Sequence, residues 1–142
     1  MSINDLLAGF YEDFFNWDNY EILLTSLYDN NDYGKFGWLL LIVPLIMMLL
    51  FYKVWEPMRK QRLMWLITII TIAIVNYAVT TGIIYANVDV LNEIDIFDGS
   101  QVDPEFFVFE ISMINALYTL LISLFYSIIL KRFSTQNSHN PF

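Results

Sequence analysis

Two sets of small or polar side chains stand in or beside long apolar runs, and they are the residues best placed to do something chemical. One set is Ala73, Asn76, Tyr77, Thr80 and Asn87; the other is Ser112, Asn115, Thr119, Ser123 and Ser127. Helical geometry puts each set on one face. Amides and hydroxyls give and take hydrogen bonds without ionising near neutral pH. Proton relays and ion pathways instead place Asp, Glu, His, Lys or Arg at depth. In lipid, small and polar residues so spaced bring helices close and bond across them, at roughly 0.6–2 kcal/mol per bond. The expected role of Asn76, Tyr77, Thr80, Ser112, Asn115, Thr119 and Ser123 is therefore a helix-packing seam, within a bundle or between subunits. A polar pathway is the sharper alternative.

The remaining candidates for chemistry are weaker. Glu110 is the one carboxylate within an apolar run, close enough to its acidic end to reach water or pair with Lys35. The single histidine, His139, lies in a polar tail, and there is no cysteine, so thiolate chemistry and Cys-based metal sites are excluded. Asp29, Asn31 and Gly34 fit an EF-hand loop, but Tyr33 stands where a third oxygen ligand belongs and Leu40 where the closing Glu belongs. The spacing Glu93, Asp95, Asp98, Gly99 does not match a calcium loop either. No nucleophile–base constellation and no phosphate-cradling glycine loop is present. The expectation is a protein that is not an enzyme and takes no cofactor and no metal.

The elements that must position the seam follow from composition. The chain has 142 residues, 57% of them hydrophobic and only 15% charged, against roughly a quarter charged in soluble domains. Apolar runs of about 18 residues or more read as membrane-spanning helices. Three occur, at 36–52, 63–86 and 106–130. Pro44 sits within the first and is expected to kink it by removing one backbone bond. Trp38 and Trp55 bracket it as interfacial anchors. The expected fold class is an all-α membrane protein with three transmembrane helices, preceded by an acidic amphipathic helix.

Charge sets the orientation. Residues 53–62 carry four of the seven Lys and Arg, namely Lys53, Arg59, Lys60 and Arg62, and Lys131 and Arg132 follow the third run. Every acid except Glu56 lies on the other side. Basic short loops stay in the cytoplasm, so the N-terminus is expected outside, the C-terminus inside, and the basic turn available to a cytoplasmic contact. An acidic N-terminal segment of this kind suits translocation across a bacterial inner membrane.

The segment 1–35 has no basic n-region and is not expected to be a signal peptide. Ile3, Leu6, Leu7, Phe10, Phe14 and Trp17 recur at helical spacing among Asp5, Glu12, Asp13 and Asp18. Interfacial helices that bind anionic lipid are basic. An acidic one is better suited to protein, so Phe10, Phe14 and Trp17 are expected to form a partner or self-packing surface. Residues 29–34 read as a turn. The acidic loop 87–105, through Asp95 and Asp98, is the second candidate partner surface, and the tail 133–142 lies in the cytoplasm.

These features point to a small membrane subunit or anchor of a larger envelope complex, such as a secretion, injection, motor or transporter assembly. Its partners would be membrane lipids and other subunits of the complex, or copies of itself. Two further readings stay open: a homo-oligomeric pore, holin-like protein or small transporter, and a membrane immunity or regulatory protein. The basic turn lacks an aromatic platform, so nucleic acid is not an expected partner.

Overall fold

The computed structural model describes residues 3–15, 17–53, 61–87 and 103–131. Among these residues the chain is all-helical: α1 Ile3–Glu12, α2 Trp17–Asp29, α3 Asp32–Lys53, α4 Gln61–Ala86 and α5 Pro104–Lys131. The last three are long and apolar enough to cross a membrane. At 1.5 Å per residue each covers about 30 Å or more, the thickness of a hydrocarbon core. α4 and α5 form the most extensive pair, α3 lies along both, and α1 and α2 rest mainly on α3.

Local chemistry explains the helix ends. Asp103 caps α5: its Oδ1 accepts the Glu105 N–H at 3.0 Å and its carbonyl accepts from Phe107 at 3.1 Å. Pro104 occupies the first helical position, where a missing N–H costs nothing. Between α2 and α3 the chain turns on Asn31, at φ 57°, a left-handed conformation that Asn tolerates better than most residues. The Asn31 carbonyl then accepts the Lys35 N–H at 3.3 Å. The turn read over 29–34 is thus confined to Asn30 and Asn31, and α3 starts four residues before its apolar run.

The N-terminal segment is two helices rather than one continuous run. α1 ends in a tight turn, in which Phe14 N–H donates to the Tyr11 carbonyl at 3.2 Å and Phe15 N–H to the Glu12 carbonyl at 2.9 Å. The pair folds back over the end of the bundle where α3 begins. Leu7 packs against Gly37, where a Cβ would sit only 2.2 Å from the Leu7 Cδ1. Gly37 is what lets α1 approach α3 so closely. Asn4 bridges this end of the molecule, donating to the Tyr28 carbonyl at 3.0 Å and accepting from the Gly34 N–H at 3.1 Å.

Two hydrophobic clusters result. One gathers Ala8, Tyr11, Leu23, Leu24, Leu27, Tyr33, Phe36, Leu40, Ile84, Phe107, Val108 and Ile111 from all five helices. The other is small, built on Met48, Ile69 and Ile72, with Tyr52, Trp65 and Tyr126 against it. Large apolar residues cover the outside of the bundle, among them Ile70, Ile74, Leu117, Leu121 and Phe125. An exterior of this kind is what lipid solvates; contiguous apolar surface this broad is rare on soluble monomers.

Candidate functional site

The polar residues of α4 and α5 converge inside the bundle. Asn76, Thr80, Ser112, Asn115, Thr119 and Ser123 are all fully buried. Side chains at three- and four-residue spacing share a face, and the faces that carry them pack on each other. Tyr77 departs from this set. It is half-buried at the edge of the pair, its ring 6.3 Å from that of Phe109.

Asn115 is the hub of the arrangement. Its Oδ1 accepts the Tyr11 hydroxyl at 2.7 Å, a contact between residues 104 apart in the chain. Its Nδ2 donates to Thr80 Oγ1 at 2.5 Å, and its carbonyl accepts the Thr119 hydroxyl at 2.8 Å. One amide therefore ties α1, α4 and α5 together. Beside it Thr81 donates to Ser112 at 2.9 Å. Asn115 lies eleven residues into α5, about 16 Å along its axis. Tyr11 therefore reaches well inside the bundle, and desolvation by burial pushes its hydroxyl far above the ordinary tyrosine value.

A second hub, Ser127, stands toward the other end. Trp65 Nε1 donates to its Oγ at 2.8 Å, and the Tyr52 hydroxyl shares a hydrogen bond with it at 2.6 Å. This joins α3, α4 and α5. Between the hubs, Asn76 Oδ1 and Nδ2 and Ser123 Oγ are buried without a hydrogen-bond partner.

The end of the bundle at the start of α3 carries its own polar latch. Asp32 is fully buried and accepts from Lys35 Nζ at 2.7 Å, while Asn87 Nδ2 donates to its other oxygen. The residue that follows α4 is thereby fixed to the first turn of α3. Lys35 pairs here and not with Glu110, which stands beside the Tyr20 hydroxyl.

Aromatic rings tie α1 and α2 to the spans. Tyr11 stacks on Tyr33 at 5.6 Å and meets Tyr118 edge-on at 5.6 Å. Phe15 and Tyr20 pack on Phe107 at 5.2 and 5.5 Å. Tyr118 also donates to the Phe10 carbonyl at 2.7 Å. Offset and edge-to-face ring pairs each add about 0.5–1.5 kcal/mol beyond the area they bury. Glu12 is drawn into this region. Burial raises its carboxyl above the ordinary value, the neighbouring Tyr33 hydroxyl lowers it and Asp13 raises it further.

The large apolar side chains of α1 and of the turn that ends it point the other way. Phe10 is 55% exposed and Phe14 63%, with Leu6 beside them. Only the edge of Phe14 is engaged, against Tyr118 at 6.3 Å. Trp17 begins α2, and its side chain lies outside the described residues, as do Asp95, Asp98, Arg59 and Lys60 altogether. Lys53 is exposed at the end of α3 and Arg62 at the start of α4. Both basic residues flank the same end of the bundle, opposite Asp32 and Asn87.

Sequence reasoning picked out the amides and hydroxyls of α4 and α5 but not Tyr11, Asn4, Asp32, Tyr52 or Trp65. Tyr11 had a signal: Asn4, Leu7, Ala8 and Tyr11 recur at three- and four-residue spacing, one position off the larger stripe of Leu6, Phe10 and Phe14. The buried stripe is the smaller and more polar of the two, as expected for helices packing in lipid. No group of three or more metal-ligating side chains converges among the described residues. No protein-family model, characterised protein or solved structure matches the chain, so its own geometry carries the functional reading.

Proposed function

We propose that the protein is a non-enzymatic membrane subunit or anchor that presents a rigid aromatic ledge to a larger envelope complex. The observation that carries this is the exposure of Phe10 on α1, whose opposite face is locked to the bundle, and of Phe14 in the turn that ends α1. Large rings held in place at low entropic cost are the usual anchors of protein interfaces. Asp13 beside them gives the ledge an acidic rim suited to a basic partner.

In the orientation set by the basic residues, Lys53, Arg62 and Lys131 face the cytoplasm and the ledge faces outward. The setting is the bacterial inner membrane, with the N-terminus outside and the C-terminus inside. By sequence, the loop that carries Asp95 and Asp98 adds acidic charge on the outer side, and the turn that carries Arg59 and Lys60 adds basic charge on the inner side. The polar side chains that meet inside the bundle bond mainly to each other, which favours cohesion over catalysis.

Purification of the tagged chain from native membranes in mild detergent tests the reading. A larger protein at fixed stoichiometry is expected, and it should be lost with Phe10→Ser plus Phe14→Ser while the chain itself remains folded. A homo-oligomer that passes solutes in liposomes would instead favour a pore or transporter. That second reading rests on the unpartnered amide of Asn76 at mid-bundle depth.

A further inference from the structure

Near the middle of the bundle two of the spans leave polar side-chain atoms unmet, and the third gives up a backbone donor. On α4, both amide atoms of Asn76 are fully buried and without a partner. On α5, the hydroxyl of Ser123 is in the same condition. On α3, Pro44 lies on the buried face and has no N–H, so the carbonyl of Leu40 loses its helical donor.

Register strings these groups along the axis within about one turn of Asn76 on either side. The pairs Thr80–Asn115, Thr81–Ser112 and Trp65–Ser127 align α4 antiparallel to α5. Asn76 then stands level with Thr119, and Ser123 lies one turn further toward Ser127. The Tyr52–Ser127 bond aligns α3 parallel to α5; Pro44 precedes Tyr52 by as many residues as Thr119 precedes Ser127, so it shares the Asn76 level, and the Leu40 carbonyl lies about one turn toward Asn115. Asn76 is ten residues from the end of α4, about 15 Å along the helix and near the middle of a bilayer core about 30 Å thick.

A buried amide or hydroxyl left unmet costs about 1–3 kcal/mol, and several at one place would oppose folding together. An internal water bonds to two to four polar groups, and the unmet set offers amide donors, two carbonyl acceptors and a hydroxyl. We propose that Asn76, Ser123 and the Leu40 carbonyl form a binding site for water at the centre of the bundle. Water there joins the Asn115 network above to the Ser127 network below. The result is a hydrogen-bonded column closed by Tyr11 at one end and by Tyr52 and Trp65 at the other.

The full chain in lipid bilayers gives the test. Solid-state NMR with transfer of magnetisation from water protons reads the Asn76 side-chain nitrogen, assigned by its loss in Asn76→Leu. The Asn76 signal is expected to grow as fast as that of Asn87 at the bundle end. Growth as slow as that of Ile74 on the lipid face overturns the proposal, since Asn76 would then be dry. Should Asn76→Leu fail to fold, Ser123→Cys supplies an independent reading, because the chain has no other thiol. A broadened, lowered S–H stretch that converts to S–D in heavy water is expected. A narrow band that persists in heavy water overturns the proposal.

Discussion

The two ends of the bundle are held together by different physics. Toward the acidic end, five helices share one cluster in which Tyr11, Tyr33, Phe36 and Phe107 are fully buried, and side chains bond across most of the chain length. Toward the basic end, three helices meet over Met48, Ile69 and Ile72, with Ser127 as the one shared polar hub among the described residues. Lipid gives helices little hydrophobic reason to associate. An end covered by α1 and α2 gains a core of ordinary protein type, whereas bare spans depend on close packing and a few hydrogen bonds. The acidic end is therefore expected to be the rigid one and the basic end the adaptable one.

Replacing the hub of the rigid end should have the largest effect. Asn115→Leu leaves the Tyr11 hydroxyl and Thr80 without their partner and should cost about 2–3 kcal/mol, read by reversible unfolding in micelles. Protection of α1 amides from hydrogen exchange should fall in the same variant while α4 near Trp65 is unchanged. Asp32→Ala comes next, at about 1–2 kcal/mol, because it strands the Asn87 amide while Lys35 turns to water. Ser127→Ala should cost about 1 kcal/mol or less and loosen only the basic end. If Ser127→Ala proves as damaging as Asn115→Leu, the contrast between the ends is wrong.

The smallest effect is that of pH on α1. Burial holds the Glu12 carboxyl above its usual value, so the folded state favours the protonated form. The docked state is then most stable below the ordinary carboxylate range and loses that contribution as pH rises through the raised folded value. Exchange protection of α1, corrected for intrinsic rates, should decline as pH climbs from about 4.5, and Glu12→Gln should abolish the decline.

Much of this was legible in the chain. Period, length and charge mark the three spans, and the amides and hydroxyls of α4 and α5 mark their buried faces, because in lipid a polar stripe must turn inward. The stripe by which α1 packs on the bundle was not legible, since Leu6 and Phe10 stand out by size while Asn4, Ala8 and Tyr11 are the ones buried. Hydrophobic size signals the interior only where water is the solvent. Contacts such as Tyr11 with Asn115, or Asp32 with Asn87, depend on helix register, which no local pattern encodes. The start of α3 at Asp32 depends on one backbone angle at Asn31.

Photocrosslinking from position 14 in native membranes reads out what the aromatic ledge touches. With a photoreactive phenylalanine replacing Phe14, one discrete adduct to another protein is expected. It should be diminished by Asp13→Lys and absent from the same probe placed at Leu121 on the lipid-facing side of α5. Adducts to lipid alone, or equal adducts from both positions, would contradict the ledge as a docking surface.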